Sequence, residues 1–310
     1  MGAESWAEQL SGALSGATIA DLRRLSGGAS RETWRFTADG RDLVAQRQRA
    51  GDQRDMLTEA AVVAAAGAAG VPVPELLVAE RHEQGAFMVL AAVDGETIAR
   101  KILRDPEFDR ARRALPGQFG RALAAIHTMA PDAVDGLDEV DQVASYTDVL
   151  DQLGQPTPML ELVRRWLLDH RPTSTQRAVV HGDFRLGNVI VGPDGLAAVI
   201  DWELAHVSDP MEDLGWLCVR AWRFGSPAPV GGLGSYDELF EAYEDASGTA
   251  VDPDVVRWWE VLGTWKWAIM CILQADTHRA GVVRSHELAA IGRRVCENEH
   301  DLFLALEGRW

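Results

Sequence analysis

Short stretches mixing apolar and polar residues over 19–25, 32–37 and 42–47, with Trp34 and Phe36 alternating against Arg35 and Thr37, predict three short strands. Asp39-Gly40 between the second and third is a hairpin turn signal, so the segment reads as an antiparallel meander behind a short amphipathic helix over 4–14. An alanine-rich helix over 52–69 ends at Gly70 and the extended Val71-Pro72-Val73-Pro74. Residues 75–79 and 86–92 then predict two more strands. The first unit is thus five strands with one inserted helix.

From Gly95 onward the period changes to that of helices, over 119–129, 160–168, 254–274 and 287–306. One β-rich island interrupts them, with strands at 178–180, 189–191 and 196–200 and the turn Gly192-Pro193-Asp194-Gly195 joining the last two. The change of pattern near Val93 divides the chain into expected lobes of 1–92 and 93–310, and the fold class is α+β.

Composition narrows the function. With 47% hydrophobic and 25% charged residues, the 310-residue chain has globular composition. Net charge is −17 and the basic residues do not cluster, which argues against nucleic acid as a partner. Cys218, Cys271 and Cys296 are odd in number and widely spaced, so neither a disulfide framework nor a zinc site is expected. Without an apolar run of roughly 18 residues or a basic, apolar leader, the expectation is a cytoplasmic chain with no membrane span.

The island carries the chemistry. It contains His181-Gly182-Asp183-Phe184-Arg185-Leu186-Gly187-Asn188, and Asp201 follows the last strand. Phosphoryl transfer needs Mg²⁺ on hard oxygen ligands and a carboxylate beside the attacking hydroxyl. Asn188 and Asp201 can supply the first and Asp183 the second. His181 is a candidate catalytic group or, equally, a hydrogen-bonding brace of the loop.

These residues, with Val199-Ile200-Asp201-Trp202-Glu203 and Ser208-Asp209-Pro210-Met211-Glu212-Asp213-Leu214, resemble the aminoglycoside phosphotransferase and choline kinase group, whose fold is two-lobed and protein-kinase-like. The resemblance is specific over 180–214 and weaker elsewhere. Within the group, Asp201-Trp202-Glu203 and the stretch from Cys218 to Gly225 look most like bacterial proteins akin to the kinase domains fused to acyl-CoA dehydrogenases. It implies ATP and Mg²⁺ as cofactors, Asp183 as the catalytic aspartate, and Asn188 and Asp201 as metal ligands. One departure is Ser208 where the group usually has glycine. Asp209 and Asp213 are expected to brace the catalytic loop and cap the next helix.

By the same resemblance the first lobe supplies the nucleotide clamp. Gly27, Gly28 and Ser30 lie between two strands, as a phosphate-covering loop would. A kinase-like fold expects a lysine on the third strand, paired with a glutamate on the helix that follows. Neither lysine of the chain, Lys101 or Lys266, is near that strand, so Arg47 is the expected substitute and Glu59 its partner, with Gln46 or Arg49 as slipped alternatives. The adenine is expected at backbone groups of the segment joining the lobes, Leu90-Ala91-Ala92-Val93, with Leu90 and Ala92 as its contacts. Eight of eleven tryptophans lie beyond residue 200 and read first as core, second as an acceptor pocket. Arg220 and Arg223 either face an anionic acceptor or pair with local acids.

The acceptor is expected to be a small-molecule hydroxyl, of a hydroxyacyl thioester or related metabolite in preference to an aminoglycoside. A catalytically silent nucleotide-binding protein is the rival from another class; a metal hydrolase built on His181 and Asp183 lacks a second histidine at ligand spacing.

Overall fold

The computed structural model describes residues 3–25, 31–49, 55–82, 85–155, 157–173 and 176–309. After α1 (Ala3–Ala13) come β1 (Ile19–Arg24), β2 (Arg31–Ala38) and β3 (Arg41–Gln48), then α2 (Met56–Ala68), β4 (Leu76–His82) and β5 (Gly85–Ala91). The five strands form one antiparallel sheet in the order β1-β2-β3-β5-β4. Strand alternation gives each face its own cover. Leu43 and Ala45 of β3 and Phe87 and Val89 of β5 pack with Trp6 and Leu10 of α1. Ala86, Met88 and Leu90 turn to the opposite face and join Met56, Ala60 and Val63 of α2. Asp55 caps α2, its carboxylate accepting from the Leu57 N–H at 3.1 Å.

The helical lobe holds α3 (Ala99–Arg104), α4 (Asp109–Ile126), α5 (Gln142–Leu153) and α6 (Pro158–Asp169) ahead of the island, whose strands are β6 (Ala178–Val180), β7 (Val189–Gly192), β8 (Gly195–Val199) and β9 (His206–Ser208). After it come α7 (Met211–Cys218), α8 (Tyr236–Ser247), α9 (Pro253–Arg279), α10 (His286–Ile291) and α11 (Val295–Leu306). The hairpin β7-β8 was expected; the pairing of β6 with the three-residue β9 was not, because so short a strand has no periodicity to read. Helix α4 starts ten residues before the expected 119, since it runs through Pro116, which reads as a breaker. The helix expected over 287–306 breaks at a tight turn through Gly292, where an added Cβ would lie 2.4 Å from that of Ala275 on α9. No helix among the described residues is long and apolar enough to cross a membrane.

Two sets of backbone bonds fasten the β7-β8 hairpin to its surroundings. Val199 donates to the Pro72 carbonyl at 2.7 Å, in the connection after α2. Val191 and Glu96 exchange a reciprocal pair at 2.9 and 3.0 Å, just after β5.

Candidate active site

The loop between β6 and β7 is held from below. Asp213 of α7 is fully buried, and its two carboxylate oxygens accept from the backbone N–H groups of His181 at 2.7 Å and Gly182 at 2.9 Å. The His127 Nε2–H adds a third donor at 3.2 Å. Asp209 accepts from the Met211 N–H at 2.9 Å and starts α7, so both acids act as expected. Gly182 has a φ of +77°, and a Cβ there would stand 2.3 Å from the Leu204 carbonyl oxygen, which only glycine permits.

Of the two roles open to His181, catalytic group or brace, the structure gives it the second. It is fully buried; its Nδ1 accepts from the Asp183 N–H at 3.2 Å and its Nε2–H donates to the Ile200 carbonyl at 3.1 Å. With both ring nitrogens on backbone it braces the loop and has none for a substrate.

Asp183 is held on both oxygens. Oδ1 accepts from Trp216 Nε1 at 2.7 Å and Arg185 Nε at 3.0 Å, and Oδ2 from Asn188 Nδ2 at 2.6 Å. The Arg185 guanidinium in turn lies 4.7 Å over the Trp222 ring. Trp216 was missed in the sequence: nothing in its spacing shows that its indole reaches back to residue 183.

The Asn188 amide nitrogen also donates to the Asp183 carbonyl at 3.0 Å, which leaves the amide oxygen as the atom for a cation. The Ile200 N–H donates to the Asn188 carbonyl at 3.0 Å and so brings Asp201 beside it at the open end of the hairpin. Asp201 takes a φ of +66°, a left-handed backbone unusual for a residue with a Cβ. Burial raises its carboxyl pKa, Glu203 and Asp183 add to the rise, and Arg31 opposes it. No hydrogen bond or salt bridge joins that carboxylate to another described residue, so one amide oxygen and one carboxylate form a hard-oxygen donor pair that fits Mg²⁺. No group of three or more His, Cys, Asp or Glu side chains among the described residues makes a protein-only cage.

On the nucleotide side Gly27, Gly28 and Ser30 lie outside the described residues. Arg47 is a correction. Its guanidinium pairs with Glu32 on β2 and lies 5.0 Å over the Trp6 ring, on the α1 face of the sheet. Glu59 is paired instead with Arg31, whose Nη2 also donates to Glu203 at 2.9 Å. Burial pushes the Glu59 carboxyl up to about 7, with the Arg31 guanidinium pulling it down. The Leu90 side chain is core, and the Ala92 N–H donates to the Asp42 carbonyl at 3.0 Å, so that N–H is taken.

Arg220 pairs with Asp301, and Arg223 with Glu260 and the Cys218 carbonyl, so neither waits for an acceptor. Trp258 and Trp265 are core of the helical lobe. Next to Asp201 a cavity of about 510 Å³ opens between α2, α5, α9 and residues 202–206, with Tyr146, Glu203, His206 and Lys266 on its wall.

Residues 21–259 match the phosphotransferase enzyme family, APH. The chain belongs to that family. This phosphotransferase is 26% identical over 235 residues to mouse acyl-CoA dehydrogenase family member 10, an alignment covering 68% of this chain and 21% of that protein. It thus spans about a fifth of that curated relative. Of solved structures, a candidate aminoglycoside phosphotransferase from Ralstonia eutropha superposes with a TM-score of 0.79 at 20% identity, over 99% of this chain and 98% of that one. A spectinomycin phosphotransferase solved with ADP and spectinomycin gives 0.66 at 12% identity, over 98% of each. The two-lobed kinase-like fold of this phosphotransferase is shared with both.

Proposed function

We propose that the chain is an ATP- and Mg²⁺-dependent kinase that transfers the γ-phosphate to a hydroxyl of a small molecule. The convergence of Asp183, Asn188 and Asp201 at the ends of one hairpin carries this reading. Asn188 and Asp201 would hold the metal, which when bound neutralises charge on the β- and γ-phosphate oxygens. Asp183, fixed by three side-chain donors, aligns the acceptor hydroxyl and takes its proton late, as the new O–P bond forms and the bond from γ-phosphorus to the bridging oxygen breaks. ADP leaves with that oxygen, and no covalent enzyme intermediate forms. Adenine would be read at Val93, beyond the occupied Ala92 N–H.

Likeness to acyl-CoA dehydrogenase family members favours a hydroxyacyl compound as acceptor. The cavity beside Asp201 is lined by Asp55, Glu59, Asp138 and Glu203 against Lys266 and His206, and so offers no basic patch for coenzyme A phosphates. The test is ADP release and phosphate transfer from ATP with and without Mg²⁺, across hydroxy acids, their thioesters and aminoglycosides. Mg²⁺-dependent transfer to a hydroxy acid or its thioester is expected. Failure to bind nucleotide, or capture of a phosphorylated enzyme during turnover, would refute the proposal.

A further inference from the structure

Kinase-like folds present the phosphate-binding cation from the third strand, and here that strand has none in the right place. Full antiparallel pairing of β2 with β3 runs from Arg31↔Gln48 to Ala38↔Arg41, which fixes the parity of β3. Arg47 shares a face with Ala45 and points to α1. Gln46 is the residue turned toward α2 and Glu59, and it is uncharged.

Its amide oxygen, however, accepts a hydrogen bond from Arg31 Nη1 at 3.3 Å. The Arg31 guanidinium therefore occupies the space that a long cation at position 46 would fill. From there it forms the ion pair with Glu59 on α2, reaches Glu203 at 2.9 Å, and stands close enough to Asp201 to oppose its raised pKa. Arg31 is only 6% exposed. Of its five N–H donors, the contacts to Glu59, Gln46 and Glu203 engage three, and no described residue engages the others.

We infer that Arg31, the first residue of β2, is the phosphate-binding cation of this enzyme, moved there from the neighbouring strand, with Glu59 and Gln46 as the groups that aim it. The inference rests on the nucleotide-binding reading above. A planar guanidinium suits the task because it can keep Glu59 on one edge while offering another edge to phosphate oxygens, which an ammonium does less well.

The experiment compares wild type, R31M, R47M and the double variant R31M/Q46K, which returns a cation to β3. Circular dichroism checks folding, and binding of Mg·ATP and its KM are measured beside the acceptor KM. R31M is expected to weaken nucleotide by roughly tenfold to a hundredfold, the loss of one or two charge-assisted hydrogen bonds, and to change the acceptor KM by less than the nucleotide constant. R47M should stay within twofold of wild type, and R31M/Q46K should recover to within fivefold. Folded R31M with unaltered nucleotide affinity would overturn the inference. Should R31M not fold, the double variant decides: folded with near-normal affinity it supports the swap, and folded with a tenfold deficit it refutes it. Absence of Mg·ATP binding by wild type would instead remove the nucleotide reading and this inference together.

Discussion

Replacing Trp216 by phenylalanine isolates one hydrogen bond at the reacting end of the site. The indole donates to Asp183 Oδ1 at 2.7 Å, while its rings also pack 5.2 Å from Trp222 and beneath the Lys266 ammonium at 5.0 Å. Phenylalanine keeps much of that packing and deletes the donor. A hydrogen bond to a charged group contributes about 1.5–3 kcal/mol, and the Arg185 and Asn188 donors remain on Asp183, so the lower figure applies. If Asp183 must be oriented mainly in the transition state, ~1.5 kcal/mol lowers kcat about tenfold. The KM for ATP should hardly move, because neither Arg31 nor the Asn188–Asp201 pair touches the indole. Steady-state kinetics with a coupled ADP assay read both constants. A folded W216F whose kcat stays within twofold of wild type would refute the claim that this bond positions the aspartate.

Asp183→Asn should cut kcat on the order of 10³-fold while leaving nucleotide binding, as measured by calorimetry with Mg·ADP. Asp201→Asn should raise the Mg²⁺ requirement by tenfold or more at saturating ATP, which a magnesium titration of the rate would show. His206 and Glu212 give a pH signature in stability. Burial opposes both charges, yet the 3.1 Å pair prevails, raising the His206 pKa and lowering the Glu212 carboxyl to about 2. The histidine contribution is full below its ordinary value of 6.5 and fades as pH rises through the raised folded value; the glutamate contribution is full above 4.5 and fades toward 2. Melting temperature should therefore fall on either side of that interval, by about 2–4 °C per kcal/mol lost, and His206→Asn should flatten the alkaline limb.

The central strands of the first lobe were legible because β3 and β5 bury their faces against α1 and α2, whereas β1 and β4, with no fully buried residue, were placed by the turn signals and β-formers around them. The catalytic loop was legible because its chemistry is written in adjacent residues. Helix α5 went unread although Val143, Tyr146, Leu150 and Leu153 recur at helical spacing and pack into the helical-lobe core. The Arg47 expectation failed by parity. Strand alternation puts it on the face of Ala45, but nothing local says which face meets α1 and which meets α2, and one residue reverses the answer. Arg31 could not be found at all from spacing, since its partners lie 28 and 172 residues away. Trp216 was hidden for the same reason.

The fastening of the β7-β8 hairpin bears on how the enzyme breathes. Its backbone is stitched to the connection after α2 through Pro72 and to the exit of β5 through Glu96, so the turn bearing Asp201 is tied to the C-terminal end of the helix that carries Glu59. An outward tilt of that helix therefore has its C-terminal end as a fixed pivot, held by the Val199–Pro72 bond.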